Sequence, residues 1–389
     1  MTLAGKGAWI AGTDRPEIET IRIGFMPLAD CAPLVMASVL GFDELYGVRF
    51  ALSREQSWTG MREHLVGGQL DAAQALYGMV YGIQNGIGTG QCDMAVLMNL
   101  NQNGQNITLS RPWADAAAEP GGLARLVQSG QRLTLAHTFP TGNHAMFLYY
   151  WLAAQGVDPM KDCRVVTVPP GQMAASLAAG HMNGFCAGEP WGQRALRDGA
   201  GVQAASSEQV WPNHPGKALG TRAAFAATHP NACRAMIAAL LQAARWLDAS
   251  RANREAAAEV LASPAYVNAS RETLQYCLAG ADEGAAWRGH NGLRFYAGGE
   301  ANFPWLSDGM WFMTQHRRWG LLRTDPNTDP DPDYLGLAQQ VNRIDLYREA
   351  AERTGTPLPA ATLRTSTLMD GRVWDGSDPH AFAQDLAPA

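Results

Sequence analysis

The sequence lacks closely spaced cysteines. Its six cysteines are scattered along the chain, and none belongs to a CxxC pair. They are Cys31, Cys92, Cys163, Cys186, Cys233 and Cys277. Disulfide frameworks and zinc sites need cysteines at short, regular spacings. We therefore expect these residues to be small buried hydrophobic side chains in a reducing compartment, and neither disulfides nor metal ligands.

Positive charge is also sparse. The chain has 30 Lys and Arg residues against 36 Asp and Glu residues, its formal net charge is −6, and it contains no basic run. Nucleic-acid binding needs a basic surface stripe, so a direct nucleic-acid partner is excluded. A small anion is not excluded, because the potential inside a cleft depends on the groups that line it.

Long apolar runs are missing as well. No stretch of about 18 apolar residues occurs, so we expect no segment to cross a membrane. Residues 1–10 contain Lys6 but no apolar core of the length that a secretory signal needs. These features favour a cytoplasmic location. The alternative is that the start codon is misassigned and a leader is missing.

The composition is that of a core-forming globular protein with two lobes. Of 389 residues, 47 % are apolar and 17 % are charged, and a chain of this length exceeds one comfortable core. Apolar runs at residues 21–25 and 48–53 alternate with helical patterns such as residues 32–40. This alternation predicts an α/β protein with mostly parallel, doubly wound sheets, whose ligands lie beyond the carboxyl ends of the strands.

The alternating pattern restarts after the proline-bearing stretch 110–113, which predicts a second lobe inserted into the first. The predicted units are an N-terminal arm over residues 1–19, a discontinuous lobe I over residues 20–110 and 216–389, and lobe II over residues 111–215. Beyond residue 230 the pattern is mostly helical. The proline-rich stretch 325–332 and the tail beyond residue 357 are expected to be extended or to wrap around the lobes.

Lys217 is the most informative residue of the chain. It stands among small and apolar residues in the segment HPGKALG, about 70 positions after His144. A buried lysine is costly unless a negative group meets it. If both residues face one cleft, that cleft suits a small anion; the alternative is that Lys217 is a solvated loop lysine.

Six segments carry a resemblance to a known family. They are residues 24–35 (GFMPLADCAPLV), 53–58 (SREQSW), 99–110 (NLNQNGQNITLS), 168–173 (VPPGQM), 184–191 (GFCAGEPW) and 308–315 (DGMWFMTQ). In this order they resemble the nitrate/bicarbonate substrate-binding family, over about residues 20–350. The resemblance implies a type II periplasmic-binding-protein fold, in which two α/β lobes close on a ligand.

The resemblance also implies the residues that hold the ligand. Nitrate is planar, singly charged and equipped only with acceptors, so its site needs N–H donors, one positive charge and a shaped wall. The implied ligand-binding residues are Trp58, Gly60, Gln105, His144, Pro170 and Lys217.

Each of these residues has an expected role. Trp58 supplies an aromatic face or an indole N–H, or else it only anchors the core. Gly60 lies at a helix start, where unpaired backbone N–H groups and the helix dipole favour an anion. His144 donates through a ring nitrogen, unless it is structural, and Pro170 shapes the wall or only marks a turn. Lys217 neutralises the ligand.

Gln105 is expected to bring amide donors from a polar loop, and its polar neighbours leave the choice among them open. The neighbours are Asn101, Gln102, Asn103 and Asn106. Glu189 is expected to be a hinge or interlobe residue, because an unpaired carboxylate beside nitrate would repel it. In bicarbonate-binding members the place of Lys217 is acidic and helps to hold calcium, so lysine favours a bare monovalent anion.

The functional expectation is an anion-binding protein with no cofactor and no metal, and not an enzyme. Without a leader, the chain is most similar to the cytoplasmic NasS-type nitrate/nitrite sensors of this family. The resemblance implies that such a sensor holds a NasT-type ANTAR antiterminator, an RNA-binding protein, and releases it when the anion binds. The alternative function is the nitrate/nitrite-binding subunit of an ABC importer.

Overall fold

The computed structural model describes residues 14–281, 289–322 and 332–385 and contains two five-stranded sheets. The strands are β1 (Thr20–Phe25), β2 (Arg49–Arg54), β3 (Ala72–Leu76), β4 (Met94–Asn99), β5 (Gln105–Leu109), β6 (Leu133–His137), β7 (Cys163–Thr167), β8 (Gly184–Gly188), β9 (Val202–Ser206), β10 (Lys217–Arg222), β11 (Ser366–Thr367) and β12 (Val373–Trp374).

Helices cover both faces of the sheets. They are α1 (Ala32–Val39), α2 (Phe42–Leu45), α3 (Trp58–Val66), α4 (Tyr77–Gln84), α5 (Arg111–Ala118), α6 (Gly122–Gln128), α7 (Asn143–Ala154), α8 (Pro170–Ala178), α9 (Trp191–Arg197), α10 (Ser207–Val210), α11 (Ala223–Thr228), α12 (Pro230–Ala249), α13 (Arg251–Leu261), α14 (Arg271–Ala279), α15 (Leu306–Arg318), α16 (Tyr334–Val341), α17 (Ile344–Thr354) and α18 (Pro379–Asp385).

Each sheet contains one strand that runs against its neighbours. The lobe I sheet has the order β2-β1-β3-β10-β4, and β10 pairs antiparallel with β3 and β4. The lobe II sheet has the order β7-β6-β8-β5-β9, and β5 pairs antiparallel with β8 and β9. The sheets are therefore mixed, with a parallel core of three strands in each.

This topology brings Lys217 and Gln105 to equivalent places. Each is the first residue of its antiparallel strand, so each lies at the carboxyl edge of the parallel strands beside it. Lys217 is opposite Leu76, the last residue of β3, and Gln105 is opposite Gly188, the last residue of β8. Ligands of such sheets bind at this edge.

The predicted lobe boundary at residue 110 is wrong. Strand β5 belongs to the lobe II sheet, so the chain first crosses between the sheets over residues 100–104 and returns over residues 211–216. The polar composition of residues 99–106 concealed the start of β5, because its buried polar side chains interrupt the apolar pattern. Of the predicted N-terminal arm, residues 1–13 lie outside the described residues.

The lobes share one apolar core. Helix α7 is buried on all sides from Asn143 to Leu152, and a helix that is apolar all round belongs in a core. Its Phe147 ring lies 5.8 Å from the Trp311 ring of α15, and α15 also packs against α4 of lobe I. Helix α15 thus joins the two lobes along one side of the cleft.

The tail after residue 357 wraps around the lobes, as expected. Trp374 Nε1 donates to the Ser307 carbonyl at 2.9 Å, and Tyr150 Oη of lobe II donates to Asp370 at 2.9 Å. The hairpin of β11 with β12 and the helix α18 were not predicted. Except for Pro332, the stretch 325–332 lies outside the described residues.

A helix that crosses a membrane needs about 20 mostly apolar residues. Over residues 14–281, 289–322 and 332–385, no helix has both the length and the apolar character that crossing a bilayer requires.

Candidate functional site

Lys217 lies inside the protein and not in a solvated loop. Its side chain is fully buried, and its Nζ donates to Asp30 Oδ2 at 2.6 Å. The Asp30 side chain is only 2 % exposed. The alternative of a solvated loop lysine is therefore wrong. The ammonium is balanced by a protein carboxylate, Asp30, and its role in binding an anion stays a prediction.

Asp30 is held in place from two sides. It lies on a 3-10 turn, Ala29–Cys31, immediately after the loop that follows β1. Its Oδ1 accepts from Gln74 Nε2 at 2.5 Å, while Gln74 Oε1 accepts from the Met26 N–H at 2.9 Å. This relay fixes the orientation of the Gln74 amide, and so leaves Oδ2 to face Lys217.

Trp58 and His144 lie beside Lys217. The Trp58 ring centre is 5.9 Å from Lys217 Nζ and 6.5 Å from the His144 ring centre. Both side chains are buried, and among the described residues Trp58 Nε1 and His144 Nε2 find no hydrogen-bond partner. Buried polar atoms normally have partners, so two unpartnered nitrogens beside one ammonium indicate a place for an acceptor ligand.

The environment of His144 fixes its charge state. Burial and the nearby Lys217 ammonium lower its pKa well below the ordinary value, so the imidazole is neutral. Its Nδ1 lies 2.6 Å from Thr138 Oγ1. If the Thr138 hydroxyl donates to Nδ1, then Nε2 carries the hydrogen and can donate to a ligand oxygen.

Gln105 opens strand β5 and does not lie in a polar loop. Its backbone N–H donates to Ser207 Oγ at 3.2 Å, whereas neither atom of its buried side-chain amide has a partner in the described part of the chain. Its register partner is Gly188. A Cβ added at Gly188 would lie 3.6 Å from Asp30 Oδ2, so this edge of lobe II meets the Asp30–Lys217 pair.

Gly60 and Pro170 are placed differently from the other four residues. The Gly60 N–H donates to the N-cap Ser57 Oγ at 3.0 Å, so the expectation that it is an unpaired donor is wrong. Pro170 is buried and begins α8, three residues after β7 ends. That location is at the carboxyl edge of the lobe II sheet, and its part in shaping a wall stays a prediction.

The sequence did not predict the roles of two residues in this region, Asp30 and Asn143. Asp30 is the one acidic residue of the segment GFMPLADCAPLV. This segment indicates the family, but it does not indicate that Asp30 pairs with Lys217. Asn143 is the first residue of α7. Its Oδ1 accepts from the Gly78 N–H of α4 at 3.1 Å, and its Nδ2 donates to the carbonyls of Pro215 and Gly216 at 3.0 and 2.8 Å.

Glu189 links the lobes, as predicted. Its carbonyl accepts from the Ala29 N–H of lobe I at 2.8 Å, and its buried carboxyl accepts from Asn106 and Asn291 at 2.8 and 3.0 Å. Burial raises the pKa of Glu189 from its ordinary 4.5 to about 7.

The raised pKa of Glu189 predicts a pH dependence of stability. The Glu189 carboxyl keeps its proton to higher pH in the folded protein than in the unfolded chain. The stability that Glu189 contributes is therefore fully present below about pH 4.5 and is lost as the pH rises to about 7. Between these pH values the free energy of unfolding of the wild type should fall by an amount on the order of 3 kcal/mol because of Glu189, and this fall should be absent in Glu189→Gln. Urea unfolding from pH 5 to 8 measures the effect.

The exposed Glu352→Gln on α17 is the control, since it changes the same chemistry outside the core. Other buried groups titrate in both proteins and cancel in the comparison. Parallel stability curves for Glu189→Gln and the wild type would refute the assignment.

Comparison with known proteins places this geometry in a family. Residues 14–262 match the model of the NMT1-like family. The chain is 32 % identical to the nitrate/nitrite binding protein NrtA of Synechocystis sp., over 97 % of this chain and 87 % of that protein. The chain belongs to the nitrate/bicarbonate substrate-binding proteins of the NMT1-like family. The fold prediction is confirmed by the crystal structure of the periplasmic nitrate-binding protein NrtA from Synechocystis, which matches with a TM-score of 0.87 at 32 % identity, over 96 % of this chain and 100 % of that one.

The family also includes parts of longer proteins. The chain is 34 % identical to the bicarbonate transport ATP-binding protein CmpC of Synechocystis sp., and the match covers 94 % of this chain but 55 % of that protein. The NrtA relatives are substrate-binding proteins, which confirms the expectation that this chain is not an enzyme.

Proposed function

We propose that this protein binds nitrate or nitrite in the cleft between its lobes and acts as a cytoplasmic sensor of these anions. The observation that carries the ligand assignment is the group of unpartnered donors around Lys217. Trp58 Nε1, His144 Nε2 and Gln105 Nε2 are buried and without partners among the described residues. A planar ion with acceptors on every side satisfies all of them at once.

Lysine at position 217 favours nitrate over metal-bound bicarbonate. The ammonium is adjacent to the unpartnered donors, so it attracts an anion without a bridging cation. Within the part of the chain that the structure describes, no three His, Cys, Asp or Glu side chains cluster closely enough to hold a metal ion.

Gln105→Leu separates a ligand contact from a structural one. Because the Gln105 amide has no partner in the described structure, its loss should leave the free energy of unfolding nearly unchanged. We expect nitrate affinity to fall roughly 10- to 100-fold, the usual effect of losing a hydrogen bond to a charged group. The measurements are calorimetric titration with nitrate and urea unfolding.

The exposed Gln128→Leu on α6 serves as the control for Gln105→Leu. Full nitrate affinity in Gln105→Leu would remove this residue from the site. A large loss of stability would instead assign it a structural role.

Two observations support the sensor role. All six cysteines are unpaired thiols, which suits a reducing compartment. In addition, the chain matches part of CmpC, so a unit similar to this chain occurs within a protein named as ATP-binding. The proposed partner is a NasT-type ANTAR antiterminator, which the sensor releases when nitrate binds.

Co-elution tests the partnership. The protein and a NasT-type antiterminator should elute together from a size-exclusion column without nitrate and separately at saturating nitrate. Such control requires different nitrate affinities in the free and partner-bound protein. A complex that persists at saturating nitrate would contradict the sensor role.

The second candidate is the binding subunit of an importer. It is favoured by the similarity to NrtA, which is named as a periplasmic protein. Cell fractionation of the native protein discriminates between the two: the sensor proposal requires it in the cytoplasmic fraction, and the importer subunit requires it outside the inner membrane.

A further inference from the structure

The Asp30–Lys217 pair creates a charge problem for the ligand. The two groups are opposite in sign, 2.6 Å apart, and exposed by only 2 % and 0 %. Together they are neutral, so a nitrate ion that binds beside them brings the buried region to one negative charge. An uncompensated buried charge is strongly unfavourable, and buried groups usually change protonation to avoid it.

We propose that Asp30 sets the charge of the ligand cavity, and that an anion which binds beside Lys217 is accompanied by the uptake of one proton on Asp30. The inference rests on the proposed binding of nitrate. The proton comes from bulk water and forms an O–H bond on the Asp30 carboxyl, so that ammonium, carboxylic acid and nitrate sum to zero charge. No other bond forms or breaks.

The hydrogen bonds of Asp30 leave one oxygen for this proton. Oδ1 accepts from Gln74 Nε2, and the Gln74 amide is oriented by the Met26 N–H. Only Oδ2, the oxygen that meets Lys217, can take the proton without loss of that bond. Once Oδ2 is protonated, Lys217 Nζ is released to donate to the anion.

The surroundings of Asp30 favour the protonated form once an anion binds. Burial raises the pKa of Asp30, whereas the Lys217 ammonium lowers it. A second anion beside Lys217 opposes the lowering effect, so it moves the pKa further upward.

Other titratable or charged groups surround this turn. They are Cys31 on the turn itself, Arg54 on β2, Cys186 and Glu189 at β8, and His144 on α7. Burial raises the pKa of both thiols, so neither takes up a proton. His144 and Glu189 are the competing acceptors: His144 is neutral in the protein, the pKa of Glu189 is about 7, and a bound anion would raise both pKa values.

Two properties of the site follow. Nitrate affinity should weaken by up to tenfold for each unit by which the pH rises. This holds over the pH range in which Asp30 is ionised in the free protein and protonated in the complex. A singly charged anion plus one proton leaves the cavity neutral, whereas sulfate leaves it negative. Asp30 therefore contributes to the preference for singly charged anions.

Calorimetric titration with nitrate in buffers of different ionisation enthalpy measures the proton directly. We expect uptake approaching one proton per nitrate in the wild type, and none in Asp30→Asn, whose nitrate affinity should also become independent of pH. Glu189→Gln is the matched control, a second buried carboxyl at the lobe contact, and should retain the uptake.

The outcomes are distinct. If the wild type binds nitrate in the calorimeter but takes up no proton, this inference is overturned and the proposed function stands. Uptake that persists in Asp30→Asn would overturn it in favour of His144, or in favour of Glu189 if Glu189→Gln lacks the uptake. No nitrate heat at all in the wild type would overturn the proposed function, and this inference with it.

A measurement on the wild type covers the case in which Asp30→Asn does not fold. The infrared difference spectrum on addition of nitrate should show a new carboxylic-acid C=O band that shifts in D₂O. Protonation of His144 gives no such band, and Glu189→Gln, which removes the competing carboxyl, should retain it. Its absence would overturn the inference.

Discussion

Lys217→Met is expected to weaken nitrate binding by roughly 100-fold or more and to lower the free energy of unfolding by about 3–5 kcal/mol. Binding is lost because the variant removes the cation that faces the anion. Stability is lost because Asp30 is left as a buried, unpaired carboxylate. Nitrate titration and urea unfolding measure the two effects separately.

A double variant separates these two consequences. In Asp30→Leu with Lys217→Met, both charges are replaced by apolar groups, an exchange that is often neutral for stability. We expect it to regain most of the lost stability without regaining nitrate binding. Lys217→Glu is less informative, since its carboxylate would face Asp30 in the core.

Lys161→Met is the control for the lysine substitutions. Lys161 is an exposed lysine, 3.3 Å from Asp158, and its replacement should change neither nitrate binding nor stability appreciably. Unchanged nitrate affinity in Lys217→Met would refute the role of the Lys217 ammonium.

Asn143→Ala should destabilise the protein by roughly 3–5 kcal/mol. Its side chain satisfies three buried backbone groups, those of Gly78, Pro215 and Gly216. Each group left without a partner costs about 1–3 kcal/mol. Because these groups lie on α4 and on the crossing segment that precedes β10, the substitution loosens the connection between the lobes. Urea unfolding measures the loss.

Gln172→Ala is the control for Asn143→Ala, because it removes an exposed amide from the first turns of another lobe II helix, α8. It should change stability little. A loss below about 1 kcal/mol in Asn143→Ala would show that water replaces its hydrogen bonds, and that it does not hold the lobes together.

Much of the fold could be predicted because its signals are local. The apolar runs at residues 21–25 and 48–53 located β1 and β2 within a residue. Strand β5 was missed as a lobe II strand, because Gln105, Asn106 and Thr108 are buried polar residues inside it. Buried polar side chains depend on partners from distant elements, which a local pattern does not contain.

The site could be predicted only in part, because some of its contacts join residues that are far apart in the sequence. The resemblance to the family implied Trp58, His144 and Lys217, and the structure brings these three together. The partner of Lys217 was missed, because Asp30 is 187 residues away in the sequence. The hydrogen bond from the Gly60 N–H to the Ser57 side chain was also missed, although Ser57 lies only three positions earlier and is a good N-cap residue.

Calorimetric titration of the wild-type protein with nitrate tests the central claim most directly, with sulfate as the comparison anion. The account predicts one saturable site for nitrate, no binding of sulfate, and loss of the nitrate heat in Lys217→Met. No nitrate heat in the wild type, or equal heat in Lys217→Met, would contradict it.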